Sequence, residues 1–143
     1  MARLFKLEVH TPHRLFFSGQ VEAFVATLAD GEIGVYAGRA PFTAPMKTCV
    51  LGIKGKDGTW KAAAVTAGIV EVTREGATVL ADSAEWPEEI DRGRAEEAKK
   101  NAEERLGEPL LRFEAVSVRA SLARAENRLS VLAGAEKKAR TGE

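Results

Sequence analysis

The side chains best suited to bind a ligand are arginines near the end of the chain. Arg124 and Arg128 are four residues apart, which places them on one face of a helix. Two parallel guanidiniums can bind a phosphate chain or a cluster of carboxylates. Asp91 and Arg94, in the stretch EEIDRGRAEEA, could complete such a site from a neighbouring helix. Two simpler interpretations stay open: a solvated basic face, and an aspartate that only caps a helix.

Residues for catalysis or metal binding do not occur in a recognisable arrangement. His10 and His13 lie three apart, but a metal site needs at least one further ligand, and no other is indicated. The single cysteine, Cys49, has no histidine near it in sequence and is predicted to be a small buried residue of a strand. We therefore expect a protein that is not an enzyme, with no catalytic residues and no metal.

The composition limits the classes of protein to consider. The chain has 143 residues, 45% of them hydrophobic, and a formal net charge of zero. This suits one globular unit or two small ones, and it argues against a nucleic-acid partner, which needs clustered positive charge. No run of 18 apolar residues is present, and the N-terminus lacks the apolar core of a signal peptide. A mature cytoplasmic protein is expected, one that can still dock on a membrane complex.

Two kinds of sequence pattern divide the chain. From residue 4 to about residue 82 apolar residues alternate with polar ones, and turn residues recur every 8 to 12 positions, which predicts an antiparallel β-sandwich or barrel. Asp57-Gly58 is a strong signal for a tight hairpin. After Pro87 the period becomes helical. The predicted domains are residues 1–86 and 87–143.

The second domain is predicted to be an antiparallel pair of helices with opposite charge. Alanines mark an apolar face on the first helix, and a seam with steps of three and four residues follows on the second: Ala115, Val118, Leu122, Ala125, Leu129 and Leu132. Residues 87–111 carry a net charge of −3 and residues 112–143 carry +3. A small hairpin with an alanine-rich seam buries little area, so two arrangements of similar free energy are plausible for it.

Five segments, in this order, resemble one known family: GEIGVYAGRAP at 31–41, GIVEV at 68–72, VLADSAE at 79–85, IDRGRA at 90–95 and RAENRLSV at 124–131. Together they resemble the epsilon subunit of bacterial F-type ATP synthases over residues 3–133. The resemblance implies about ten strands in a β-sandwich, followed by a helical hairpin. It also implies a non-catalytic subunit of the central stalk, on the cytoplasmic side of the bacterial cell membrane and peripheral to it.

The resemblance implies partners and contact residues as well. The partners would be the gamma subunit, the ring of c subunits and the alpha and beta catalytic subunits, in a complex that couples proton translocation to ATP synthesis. Glu32 and Arg39 would contact the ring, with Arg39 where relatives usually have histidine and Ala37 where they usually have proline. Arg119, Arg124 and Arg128 of the second helix would face the catalytic subunits in an extended form that inhibits ATP hydrolysis.

Some relatives bind ATP as a regulatory ligand in the folded hairpin, and no cofactor is obligatory. The positions that match such a site are Glu85, Ile90, Asp91, Arg94, Ala95, Arg124 and Arg128. Asn101 departs from it, since those relatives often carry an arginine there, and Gly93 is unusual inside a helix. The leading hypothesis is a coupling and regulatory subunit. A small nucleotide-binding sensor acting through its hairpin is the alternative, and an enzyme on a β-sandwich is a remote third.

Overall fold

The computed structural model describes residues 3–141 of the chain, with side chains as far as residue 137. The chain divides into two compact units, one ending at Glu85 and the other beginning at Trp86. We call them the β unit and the helical unit.

The β unit contains nine strands among the described residues. Their bounds are β1 Phe5–His10, β2 Leu15–Leu28, β3 Gly31–Tyr36, β4 Phe42–Met46, β5 Cys49–Gly55, β6 Trp60–Val65, β7 Gly68–Val72, β8 Gly76–Ala81 and β9 Ala84–Glu85. The predicted β-sandwich is confirmed, with nine strands where about ten were expected. The pairing also differs from the antiparallel sheet that was predicted. Among the described strands β1 and β8 pair in parallel, and all the other pairings are antiparallel.

The long strand β2 organises the sandwich. It pairs with β1 along its first half, with β3 and β5 along its second half, and with β4 at its end. Because β1 also pairs with β8, and β8 leads through β7 to β4, the pairings close into a ring. The largest fully buried side chains, led by Phe24, Leu7, Leu51 and Ile53, fill the interior of this unit. Their alternation with exposed residues is the period-two signal of the sequence.

Two strands were not predicted from the pattern: β4, FTAPM, and the two-residue β9. Pro45 lies inside β4, and proline has no N–H to donate to a neighbouring strand. β4 nevertheless pairs in register with β7 over five residues. The predicted hairpin between β5 and β6 is confirmed: Gly58 has φ +83°, and Asp57 Oδ1 accepts hydrogen bonds from the Thr59 N–H at 3.0 Å and the Thr59 hydroxyl at 2.8 Å.

The helical unit begins with a short 3-10 helix, Pro87–Glu89, followed by α1, Arg92–Leu106, and α2, Arg112–Thr141. Arg105 near the end of α1 pairs with Glu114 near the start of α2 at 3.5 Å, and Arg92 pairs with Glu136. These two ion pairs link opposite ends of the helices, so the predicted antiparallel hairpin is confirmed.

The interface of the hairpin is built from small residues. Ala95 and Ala102 are the buried residues of α1, whereas Ala98, predicted for the same face, is exposed. On α2, Val118, Ala125 and Val131 are buried, and Leu122, Leu129 and Leu132 are half-buried. The seam was therefore predicted correctly except at its end, where Val131 and not Leu132 is the buried residue.

Candidate functional site

The start of α1 is shaped by a helix cap. Asp91 has an extended backbone, and its Oδ1 accepts a hydrogen bond from the Arg94 N–H at 3.1 Å. This satisfies one of the free N–H groups at a helix start, so the interpretation of Asp91 as a cap is confirmed. Ile90 and Ala95, on either side, are buried. These apolar contacts fix where the chain enters the helix.

The Arg94 guanidinium is available to a ligand. It is exposed and forms no ion pair or hydrogen bond with any other residue in the described part of the chain. Gly93, beside it, is not required by crowding, since a Cβ there would have Asp91 Oδ1 at 3.6 Å as its nearest neighbour. The glycine leaves the first turn of α1 less rigid than alanine would.

The arginines of α2 differ in how firmly they are held. Arg124 is half-buried and donates a hydrogen bond from Nη2 to Ser121 Oγ at 3.0 Å, so its guanidinium is positioned by its own helix. Arg128, one turn further on, is also half-buried. Arg119 is exposed and has no ion pair with the residues that the structure describes. Of these three cations of α2, Arg119 is the most accessible to a partner.

Along the hairpin axis, Arg128 lies closer than Arg124 to the start of α1. Between the ion pairs at Arg92 and Arg105, residues 124 and 128 of α2 lie beside the middle and the N-terminal half of α1. No described hydrogen bond joins Asp91 or Arg94 to Arg124. The carboxylate of Asp91 therefore caps the backbone of α1 and is not paired with the guanidinium of Arg94 or Arg124.

A cleft of about 190 Å³ lies between the helices, and Asn101 is one of its lining residues. Ala102 and Val118 form apolar parts of its wall, and Ser117 and Ser121 add hydroxyls. At Asn101 an arginine would have brought another positive charge to this cleft, beside the serine that holds Arg124. The amide can donate and accept hydrogen bonds but leaves the cleft less positive.

Glu85 belongs to the β unit. It is the last residue of β9, where it pairs in register with Ala64 of β6, and it is half-buried. The strand pairing positions its backbone independently of the helices. Its chain neighbour Trp86 opens the helical unit, and the Trp86 N–H donates to Glu89 Oε1 at 2.9 Å.

Glu32 and Arg39 lie at opposite ends of β3. Glu32 is in register with Thr27 next to the β2–β3 turn, and Arg39 follows the strand after Tyr36. The four residue-to-residue steps from Glu32 to Tyr36 span about 13 Å at a rise of about 3.3 Å per residue. Both side chains are exposed, and the Arg39 guanidinium lies 5.3 Å from the centre of the Phe42 ring. The two residues thus mark the ends of one edge and do not form a single cluster.

An outer apolar row crosses five neighbouring strands, and sequence reasoning did not find it. Strand register links Pro45, Ile69 and Leu80, and then reaches Leu15 through His10, the one polar member of the row. The three large apolar members are between 44% and 51% exposed. Contiguous exposed apolar surface on a folded domain is typical of a contact with another protein. Each residue was visible in the sequence, but only the register brings them into one row.

Cys49 is buried, as predicted. Burial raises the pKa of its thiol above the ordinary value, and hydrogen bonding with Thr27 only partly opposes that shift. The thiolate, which is the nucleophilic form, is therefore disfavoured at neutral pH. This agrees with a structural role in β5.

Comparison with known proteins identifies the family. The model for the β-sandwich domain of the ATP synthase Delta/Epsilon chain matches residues 4–87, and the model for its long alpha-helix domain matches residues 88–133. The chain belongs to the ATP synthase Delta/Epsilon family. It is a non-catalytic subunit of that complex. The resemblance read from the five sequence segments is confirmed.

Individual relatives match over most of their length. The ATP synthase epsilon chain of Caldanaerobacter subterraneus subsp. tengcongensis is 44% identical over 132 residues, covering 92% of this chain and 95% of the relative. That of Caldicellulosiruptor bescii is 48% identical over 127 residues, covering 89% of this chain and 92% of the relative.

Solved structures share the fold at low sequence identity. A chain from the Euglena gracilis mitochondrial ATP synthase, in a structure of its OSCP, F1 and c-ring, matches with a TM-score of 0.80 at 18% identity, over 90% of this chain and 81% of that chain. A chain from the Tetrahymena thermophila central stalk and c-ring matches with a TM-score of 0.62 at 10% identity, over 92% and 98%. Among the described residues, no helix is both long enough and apolar enough to cross a bilayer.

Proposed function

We propose that this chain is a central-stalk rotor subunit, which couples proton translocation to ATP synthesis and restrains ATP hydrolysis through its helical unit. The observation that carries the proposal is the match of both family domains, in order, over residues 4–133. The subunit would be peripheral, at the cytoplasmic face of the bacterial cell membrane, and would bind the gamma subunit, the c ring and the catalytic head.

The outer apolar row supports the assignment of a protein partner to the β unit. A rotor subunit that carries torque needs a contact that does not slip, and apolar burial is the largest favourable contribution to such a contact. We assign this row to the gamma subunit. Its central members, Ile69 and Leu80, are 44% and 49% exposed and pair directly across β7 and β8.

The contact with the ring is assigned to the ends of β3. Arginine side chains in general keep their charge at physiological pH, whereas a histidine loses its charge above about pH 6.5. The ring contact in this protein should therefore vary little between pH 6 and 8. Glu32, at the other end of the strand, would supply the opposite charge.

Inhibition is assigned to the cations of α2. Arg119 is exposed and unpaired among the described residues, while Arg124 and Arg128 are half-buried in the hairpin. An extended helix would present all three to acidic segments of the catalytic subunits. Deleting residues 87–143 from the assembled enzyme should raise ATP hydrolysis, and an unchanged rate would show that the hairpin is not the brake.

Co-purification tests the main proposal. The tagged full chain should bring down the gamma and catalytic subunits, and Ile69→Asp with Leu80→Asp should abolish that capture because two charges would be buried. Lys56→Asp, an exposed change in the β5–β6 turn, serves as the matched control and should leave capture unchanged. Capture that survives the double change would overturn the assignment of the apolar row.

A second candidate function is a nucleotide sensor in the hairpin, and the available Arg94 guanidinium favours it. A phosphate chain bound there would neutralise Arg94 together with Arg124 and Arg128, and would hold the hairpin closed. Calorimetry of the full chain with Mg-free ATP tests this. Binding weaker for Arg94→Gln and tighter for Asn101→Arg is expected, and no detectable heat at millimolar ATP would remove the idea.

A further inference from the structure

A cleft lined by three arginines lies in the β unit and extends well beyond the ring contact proposed at Arg39. It has a volume of about 230 Å³ and brings together Arg3 before β1, Arg39 after β3 and Arg74 in the β7–β8 turn. Its described lining residues include no aspartate or glutamate. Three guanidiniums around one small cleft concentrate positive charge, and this favours an anionic ligand.

The guanidiniums are not neutralised by the protein. Arg3 and Arg74 are exposed, and within residues 3–141 neither side chain forms an ion pair or a hydrogen bond. Glu75, next to Arg74, is not paired with it, and the Glu75 N–H donates instead to the hydroxyl of Thr73. The Arg39 guanidinium lies over the face of the Phe42 ring and forms no ion pair or hydrogen bond with the residues that the structure describes, so its N–H groups are free to donate. The cleft therefore keeps its positive charge.

Two glycines with unusual backbone conformations shape the walls. Gly38 has φ +85°, and a Cβ there would lie 3.2 Å from Arg3 Nη1, so glycine lets the arginine lie against the loop. Gly76 has φ +154°, and a Cβ there would lie 2.5 Å from the carbonyl oxygen of Lys6. Side chains at either position would be strained, so the walls of the cleft depend on these two residues.

The size and floor of the cleft limit what can enter it. Val35 and Val72 are buried and Phe5 is half-buried, so the floor is apolar beneath a charged rim. Sites for ligands as large as a drug molecule usually measure about 300–1,000 Å³, so this cleft holds a smaller group. We propose that it binds a single phosphate group, either free or at the end of a phosphomonoester lipid headgroup. Arginine pairs with phosphate through two parallel hydrogen bonds, which makes phosphate a better match than a simple halide.

The test begins with inorganic phosphate and the full chain. Amide resonances of Gly38 and Gly76 should shift saturably in an NMR titration at constant ionic strength. Arg3→Gln with Arg74→Gln should weaken binding about tenfold or more, because two charge-assisted contacts are lost. Lys56→Gln removes the same kind of charge from an exposed turn of the same unit and should change binding less than about twofold. Arg74→Gln alone provides an intermediate step.

A second arm identifies the source of the phosphate. Sedimentation with phosphatidylcholine vesicles is compared with vesicles that also contain phosphatidic acid. Binding to the second kind only, lost in the double variant and reduced by free phosphate, assigns a lipid headgroup. Saturable phosphate binding without vesicle binding assigns the free ion.

Three results of the phosphate titration would overturn the proposal. They are no saturable shift with phosphate, the same shift in the double variant, or an equal shift with chloride at the same ionic strength. Binding to an acidic peptide but not to phosphate would also overturn it, since that would assign the cleft to a protein partner. Arg39 and the outer apolar row are intact in both arginine variants, so assembly with gamma and the ring is a separate readout. A failure of the phosphate proposal therefore leaves the proposed stalk function standing.

Discussion

The β unit and the helical unit bury different kinds of side chain, and this difference bears on which unit opens more easily. The interior of the β unit contains phenylalanine, leucine and isoleucine at positions that are fully buried. The buried residues of α1 are Ala95 and Ala102, and those of α2 are Val118, Ala125 and Val131. Apolar burial contributes in proportion to area, so the hairpin gains less from its interface per residue. A unit with a small gain on closing is the one that a partner or ligand can open.

The largest expected effect on stability comes from creating a cavity in the core of the β unit. Phe24→Ala should lower the free energy of unfolding by about 3–5 kcal/mol, because Phe24 is fully buried and contacts the Phe5 ring. Urea denaturation followed by tryptophan fluorescence measures the loss. The helix α2 should then unfold at the same urea concentration as the β unit or at a higher one. A loss below about 1 kcal/mol would contradict the view that this core supports the chain.

Removing the helix cap at Asp91 tests the stability of the helical unit. Asp91→Ala should destabilise the helical unit by about 1 kcal/mol, because the hydrogen bond to the Arg94 N–H is lost. Hydrogen exchange of α1 amides should accelerate, while exchange in β5 and β6 stays unchanged. Asp91→Asn keeps an acceptor at the same position and is the matched control. Equal acceleration in both units would show that they do not open separately.

Filling the first turn of α1 should have a smaller effect of opposite sign. Gly93→Ala is expected to stabilise the helical unit by about 0.5–1 kcal/mol, since a Cβ meets only Asp91 Oδ1 at an ordinary 3.6 Å. In the assembled enzyme the closed hairpin should become more populated, so ATP hydrolysis should rise if the extended form inhibits. The pair of variants at residues 91 and 93 thus moves the same equilibrium in two directions.

The smallest expected effect concerns Asp57 in the β5–β6 turn. Hydrogen bonds from the Thr59 N–H, and then from its hydroxyl, lower the pKa of this carboxyl below its usual range. A depressed folded-state pKa contributes stability above the unfolded value, near about pH 4, that is lost as the pH falls through the folded value. The difference in urea midpoint between the natural chain and Asp57→Asn should therefore shrink between pH 6 and pH 3. A difference that grows on acidification would contradict the sign.

Local features of both units could be predicted from the sequence because their causes are local. The period-two pattern gave most strands, Asp57-Gly58 gave a hairpin, and Asp91 gave a cap. β4 was not predicted because the proline at position 45 argues against a strand. The parallel pairing of β1 with β8 was not predicted because no local sequence pattern indicates it.

Surfaces built from distant residues could not be predicted in this way. The outer apolar row needs the register of five strands, and the arginine cleft joins residues 3, 39 and 74. The residues proposed for nucleotide binding were chosen by their match to a sequence motif. The structure adds that Asp91 is already engaged in capping α1, while Arg94 is not paired with any other described side chain.

The parallel pairing of β1 with β8 also bears on how the chain is made. Lys6 is in register with Gly76. About half of the chain must therefore be synthesised after β1 before its second neighbouring strand, β8, is available. Closing so long a segment is slow, whereas the contacts of the hairpin join residues close in sequence and form quickly. On the ribosome, β1 can pair with β2 at once but keeps one open edge until β8 emerges. At that open edge a newly made chain can pair with a strand of another chain. Pairing of β8 with β1 covers the edge and prevents such association.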